Sequence, residues 1–185
     1  MRVDPRDGGE VTELDLADFL GIAWGMRVLE RDCRTGARGI KEASESNLED
    51  RAAIQDLFTR YCCALDNGEI ETVLDCFTVD AILKSPVIDI SGHDEIRAFA
   101  GRFAAQRTAG TQFRHMVNNI AMTITGNRAA ASAYLLVLIS KDGNHRSLPP
   151  GHYACELIKE NSGQWRFSRR TVFHDHDYTL DGIGR

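Results

Sequence analysis

The chain has 185 residues, 43% hydrophobic and 26% charged, which is enough for one globular domain with a sizeable core. A formal net charge of −5 argues against a phosphate-binding surface, so no nucleic-acid partner is expected. No apolar run approaches the roughly 20 residues of a membrane span, and the start MRVDPRDGGE is too charged for a signal peptide, so no membrane partner is expected either. The five cysteines are odd in number and none has a zinc spacing; reduced thiols in a cytoplasmic protein are the expected state.

Residues 1–45 differ from the rest and read as an N-terminal extension, partly helical or flexible. Within it, LDLADFLGIAWGMRVLE (residues 14–30) places Leu16, Phe19, Leu20, Ala23 and Trp24 on one helical face, which fits a packing arm for a partner subunit as well as a tail. The domain proper is expected over residues 46–178, with a loose tail at 179–185.

The first helix of that domain covers RAAIQDLFTRYCCALD, residues 51–66. Ile54, Leu57, Phe58, Tyr61 and Leu65 recur at helical spacing, Ser46 and Glu49 have the spacing of a capping box, and Asn67-Gly68 stops it. Asp66 ends the apolar face. A carboxylate there meets the negative end of the helix dipole, so it needs a cation or a good donor nearby. A second helix carries Ile70, Val73, Leu74 and Phe77 and closes at Asp80-Ala81. Residues 81–90 read as one or two short strands interrupted by Pro86. Ser91 and Asp94 then open a third helix with Ile96, Phe99, Ala100 and Phe103, ending near Gly110.

From Gln112 the period changes to two. Four strands are expected, at 113–125, 128–140, 151–159 and 164–174, with short turns at 125–128 and 160–163 and a longer loop at 141–150. Helices followed by an antiparallel meander define an α+β domain. A long sheet that curls under three helices leaves a pocket between them.

In the strand containing FRHMVNN, alternation puts Phe113, His115, Val117 and Asn119 on one face, after which the apolar residues shift to Ile120, Met122 and Ile124. That change of phase implies a bulge near Asn118-Asn119. His115 then faces the concave side. Beside a carboxylate such as Asp66, an imidazole gains a fixed tautomer and acts as a general base; the other reading is a core histidine bonded to backbone. Tyr61 reads either as a donor to a substrate oxygen or as core with its hydroxyl at the rim. Arg169 shares strand parity with Trp165 and Phe167 and so points inward, toward an anion or a carbonyl, with Arg170 outward; a salt bridge is the plainer alternative. The HDHD run at 174–177 lets only alternate residues converge, and no metal site is expected there.

RAAIQDLFTRYCCALDNGEIETVLDCFTVDA, SGHDEIRAF, FRHMVNN and GHYACELIKENSGQWRFSRR, in that order, resemble the SnoaL-like branch of the nuclear-transport-factor-two-like superfamily, over about residues 48–177. The resemblance implies a cone of curved antiparallel sheet closed by three N-terminal helices around a pocket. Lyases of this kind, among them scytalone dehydratase, lindane dehydrochlorinase and bile-acid dehydratases, use an aspartate at the end of the first helix and a histidine on the sheet. Asp66 and His115 stand at those positions. By the same resemblance Tyr61 is a pocket polar residue and Arg169 a pocket arginine, with Arg170 the alternative if the register is off by one. The function so implied is a cofactor-independent lyase or isomerase that takes a proton from a small hydrophobic substrate, needs no metal or nucleotide, and forms a homodimer or homotrimer. The alternative is a non-catalytic ligand-binding protein, or the small subunit of a ring-hydroxylating dioxygenase.

Overall fold

The computed structural model describes residues 45–178, so the readings of the N-terminal extension and of the tail lie outside the described residues. Helix α1 (Glu45–Asn67) buries Ile54, Leu57, Phe58, Tyr61, Cys62, Ala64 and Leu65, the stripe its 3.6-residue period predicts. It has already begun at Glu45, so Ser46 lies inside the helix rather than capping it. Gly68 ends it at φ +74, where a Cβ would press within 3.0 Å of the Ala104 backbone, so the stop is steric as well as conformational.

Helix α2 (Ile70–Asp75) is shorter than its apolar spacing suggests. Phe77 leaves it to open strand β1 (Phe77–Ser85), because the Phe167 N–H donates to the Cys76 carbonyl and Phe77 pairs with Phe167. Tertiary pairing overrides local period there. Strand β2 (Ile88–Ser91) returns antiparallel to β1 around Pro86-Val87. Helix α3 (Gly92–Thr108) buries Ile96, Phe99, Ala100 and Phe103, and the Ser91 N–H at its start donates to Glu95 at 2.6 Å, not to Asp94.

The meander is β3 (Gln112–Thr125), β4 (Arg128–Lys141), β5 (Asn144–Ser147), β6 (Gly151–Lys159) and β7 (Trp165–His174). Strand β5 occupies what reads from sequence as loop: Asp142 and Gly143 both take positive φ, which makes a tight hairpin turn between β4 and β5. The sheet runs β2-β1-β7-β6-β4-β3, with β5 on β4, and is not closed into a barrel. The α+β class stands, but the sheet is mixed: β1 and β7 pair in parallel. Everything from β2 to β6 lies between those two strands, a connection long enough for parallel pairing.

Two bulges set which side chains face the helices. In β3, Asn118 pairs with Tyr134 and Ala121 with Ser132, so one residue is extra, and Asn119 takes φ 51. In β7, Arg169 pairs with Glu156 while Phe167 pairs with Leu157, so Ser168 is extra; its hydroxyl donates to the Glu156 carbonyl. The helix-facing core is aromatic. Phe167 meets Phe58 and Tyr61 nearly edge-on at 5.2 and 6.0 Å and lies tilted on Phe77 at 5.6 Å. Burying each such side chain contributes on the order of 1.5–3 kcal/mol.

Candidate active site

Asp66 is the last buried residue of α1, and its carboxylate finds the donors its position demands. The His115 backbone N–H donates to Oδ2 at 2.9 Å, and the His115 ring meets Oδ1 through Nδ1 at 2.5 Å. Both side chains are nearly dry, with 7% of His115 and 10% of Asp66 exposed. A carboxylate only accepts, so the bond places the ring proton on Nδ1 and leaves Nε2 for the other side. The carboxylate holds strand and ring at once, which fixes the imidazole's tautomer and direction. Arg107 donates to the Asp66 carbonyl at 3.4 Å and so supplies a cation at the negative end of α1.

His115 lies on the wall of an apolar cavity of about 50 Å³. Helices contribute Tyr61, Leu65, Phe99 and Phe103; the sheet contributes Phe113, Leu135, Val137, Tyr153, Val172 and His174. Burial pushes the Tyr61 phenol well up, with the Arg170 charge offsetting only part, and Tyr153 behaves the same way. Both phenols therefore stay protonated.

Arg169 does not reach this cavity. Its side chain is partly exposed and pairs with Glu156 at 3.6 Å on the outer face. Arg170 is the inward residue, fully buried. The parity that joins Arg169 to Trp165 and Phe167 is broken by the extra residue Ser168, which turns Arg170, Val172 and His174 inward instead. The Arg170 guanidinium carbon sits 3.6 Å from the Tyr153 ring centre, 4.1 Å from Tyr61, 4.6 Å from Phe167 and 5.1 Å from Phe58. Such contacts stabilise a desolvated cation by about 2 kcal/mol. Among the described residues its Nε and Nη2 meet no hydrogen-bond partner, and Nη1 reaches the Cys155 sulfur at 3.9 Å. The cation thus stands directly behind two phenols that line the cavity.

Of the four residues the sequence nominates, the structure brings together Asp66, His115 and Tyr61 and leaves Arg169 outside. Arg170, the alternative that the resemblance allows, is the inward arginine, and Tyr153 and His174 also line the cavity. The clue to Arg170 and His174 is the spacing Arg170-Val172-His174, which shares a phase with the cavity rather than with Trp165 and Phe167.

Among the described residues, none of the cysteines lines the cavity. Burial pushes the Cys62 thiol up to about 12 and Cys155 up to about 11, away from thiolate chemistry. Cys62, Cys63, Cys76 and Cys155 are all free. Among the described residues, no group of three His, Cys, Asp or Glu is placed to hold a metal ion, and no helix is long and apolar enough to cross a membrane.

The described residues form an α+β domain with a mixed sheet, three helices and an apolar cavity under them, which defines a class of pocket proteins. A family model for the SnoaL-like domain matches residues 46–171, and the chain belongs to that family. A search of the curated proteins finds no match. Among solved structures, the chain is similar to a candidate aromatic ring hydroxylase from Novosphingobium aromaticivorans, at 32% identity and TM-score 0.63, over 74% of this chain and 97% of that one. It is also similar to a variant of Rv3472, a protein of unknown function from Mycobacterium tuberculosis, at 24% identity and TM-score 0.66, over 75% and 79% of the two chains. A candidate scytalone dehydratase from Novosphingobium aromaticivorans DSM 12444 matches at 20% identity and TM-score 0.64, over 74% and 93%. The last two likenesses concern the fold alone.

Proposed function

We propose that this protein is a cofactor-independent lyase or isomerase in which His115 removes a proton from a small hydrophobic substrate. The observation that carries the reading is the double hold of Asp66 on His115, at 2.5 Å to the ring and 2.9 Å to the backbone, on the wall of an apolar cavity. With Nδ1 bound to Asp66, the base is Nε2, and the carboxylate stabilises the imidazolium that forms. Tyr61 donates to the oxygen on which negative charge develops. Arg170 acts from behind the phenol as a fixed positive charge in a dry wall, where such fields are strongest. Arg170 takes the role that the sequence assigns to Arg169.

The cavity has the volume of only a few water molecules, so a ring-sized substrate requires its lining side chains to move apart. The test is turnover of β-hydroxy and β-halo ketones by Asp66→Asn and His115→Ala. Each substitution is expected to lower kcat by about 10²–10⁴-fold with the fold intact by circular dichroism. Full activity in either variant would sink the proposal.

A second reading has its own support. The relative at 32% identity is described as a candidate aromatic ring hydroxylase, and the outer face of the sheet exposes Met116, Tyr134 and Leu138. An oxygenase subunit would use such a face for assembly. It would form a stable hetero-complex that is indifferent to Asp66→Asn, whereas the lyase is expected to work as a homodimer or homotrimer.

A further inference from the structure

Asn67 is the one asparagine in the chain that precedes a glycine. It is exposed at the last position of α1, where its Nδ2 donates to Glu69 Oε1 at 3.2 Å. Gly68 follows outside the helix at φ +74, and its N–H donates to the Leu65 carbonyl at 3.2 Å, the long end of the normal range. Helix ends fray, so this bond opens well before the core does. When it opens, the Gly68 nitrogen can meet the Asn67 side chain, and glycine has no Cβ to stand in the way.

That encounter has a defined chemistry. The Gly68 nitrogen attacks Asn67 Cγ, the Cγ–Nδ2 bond breaks, and Nδ2 departs as ammonia with the Gly68 proton. A cyclic imide remains. Water opens it at Cγ to leave aspartate, or at the main-chain carbonyl to leave isoaspartate, in which the backbone runs through Cβ and Cγ. Water is consumed, ammonia is released and no electron changes hands.

The place of this residue in the fold gives the change a consequence. Asp66, next to it, holds the His115 ring and backbone N–H. On the other side Gly68 lies hard against α3, where even a Cβ would come within 3.0 Å of the Ala104 backbone. An isoaspartate inserts an extra backbone carbon between these two fixed points. With no room at Ala104, the added length is taken up on the Asp66 side. The new carboxylate also faces Glu69 where an amide donated, and it adds negative charge at the negative end of α1.

We propose that Asn67 is a site of spontaneous hydrolytic deamidation and that isoaspartate formed there loosens the hold of Asp66 on His115. The chemistry needs no substrate and stands apart from the reading of His115 as a base.

The experiment ages the full-length, isotope-labelled chain in mildly alkaline buffer, folded and in urea. Modified asparagines are mapped by peptide mass and by isoaspartyl methyltransferase labelling. Asn67 is expected to change in the folded chain before any other asparagine, including Asn161, which is exposed in a turn and precedes Ser162. Asn67→Gln, whose longer side chain closes the ring poorly, is expected to abolish the modification. In the isoaspartate form, hydrogen exchange at the His115 backbone N–H, followed by NMR, is expected to run about 10–100-fold faster, as for the loss of a hydrogen bond to a charged acceptor. Freshly prepared Asn67→Asp carries the charge without the extra carbon and is expected to exchange at close to the wild-type rate. Modification of Asn67 only in urea, or later than Asn161, overturns the site. Isoaspartate at 67 with His115 exchanging as in the wild type, or Asn67→Asp exchanging as fast as the isoaspartate form, overturns the loosening by added length.

Discussion

The bulges in β3 and β7 do the same work on opposite walls of the cavity, yet only one of them is written in the sequence. In β3 the inward residues that flank the extra one are apolar, so Val117 gives way visibly to Ile120, Met122 and Ile124. In β7 the inward residues are Trp165 and Phe167 before Ser168, then Arg170, Val172 and His174 after it. The first residue of the new phase is an arginine, and an arginine beside a second arginine carries no sign of which one is buried. Hydrophobic patterning locates a bulge only when the apolar set continues across it. Where the set is interrupted by a functional charge, the signal fails at the very residue that matters.

Inserting one alanine after Ser168 is the most severe way to break this comparison. With the bulge still one residue long, the added residue takes the outward place of Arg169, so strand parity would carry Arg169 inward and turn Arg170, Val172 and His174 to the outside. Burying the wrong charge and exposing the cavity wall is expected to cost more than about 4–5 kcal/mol, beyond the range of ordinary substitutions. A thermal melt should show no cooperative transition. An insertion variant that melts like the wild type would mean that β7 re-registers freely and that the bulge does not select the inward set.

The two arginines sharpen the comparison by exchange of roles. Arg170→Met replaces a buried charge among four aromatic rings with an apolar chain of comparable reach. Removing a buried charge in this way is often neutral or stabilising, so the melting temperature should hold or rise. Turnover should fall by about 10²-fold, the lower end of the effect of losing an oxyanion-stabilising group. Arg169→Met removes a half-exposed partner of Glu156, and exposed pairs are worth roughly 0–1 kcal/mol; turnover should be unchanged. If Arg169→Met is the variant that loses activity, the inward assignment of Arg170 is wrong.

The same reasoning explains which other features were legible. Helices α1 and α3 follow from spacing because their buried faces are uniformly apolar. Asp66 and His115 could be nominated because each stands out against such a face, a carboxylate at the end of one stripe and an imidazole within another. Their contact is not a pattern property: it depends on how α1 lies on β3, which spacing does not encode, and it came within reach through the family resemblance. The early end of α2 is hidden for a related reason. Phe77 fits the helical period of Ile70, Val73 and Leu74, and only its pairing with Phe167, 90 residues away by number, draws it into the sheet. The β4–β5 hairpin is hidden differently. Asn144–Ser147 is exposed throughout, so it has no inward face to alternate, and only the Asp142-Gly143 turn announces it.

The smallest expected effect tests the β3 bulge itself. Asn119 sits at φ 51, a left-handed conformation that asparagine tolerates and β-branched residues do not. Asn119→Val should therefore cost about 1–2 kcal/mol, read as a lower urea midpoint with an unchanged slope. Asn119→Gly should cost next to nothing, since glycine adopts that conformation freely. The pair isolates backbone strain from side-chain contacts, because Asn119 is exposed and neither substitution disturbs the core. If valine is tolerated as well as glycine, the bulge must relax to negative φ when pressed. His115 lies four residues before it on the same strand, so the cost should also register in the Asp66–His115 hydrogen bond only if the strand re-registers; a bulge that merely absorbs strain locally leaves the 2.5 Å contact, and the activity that depends on it, unchanged.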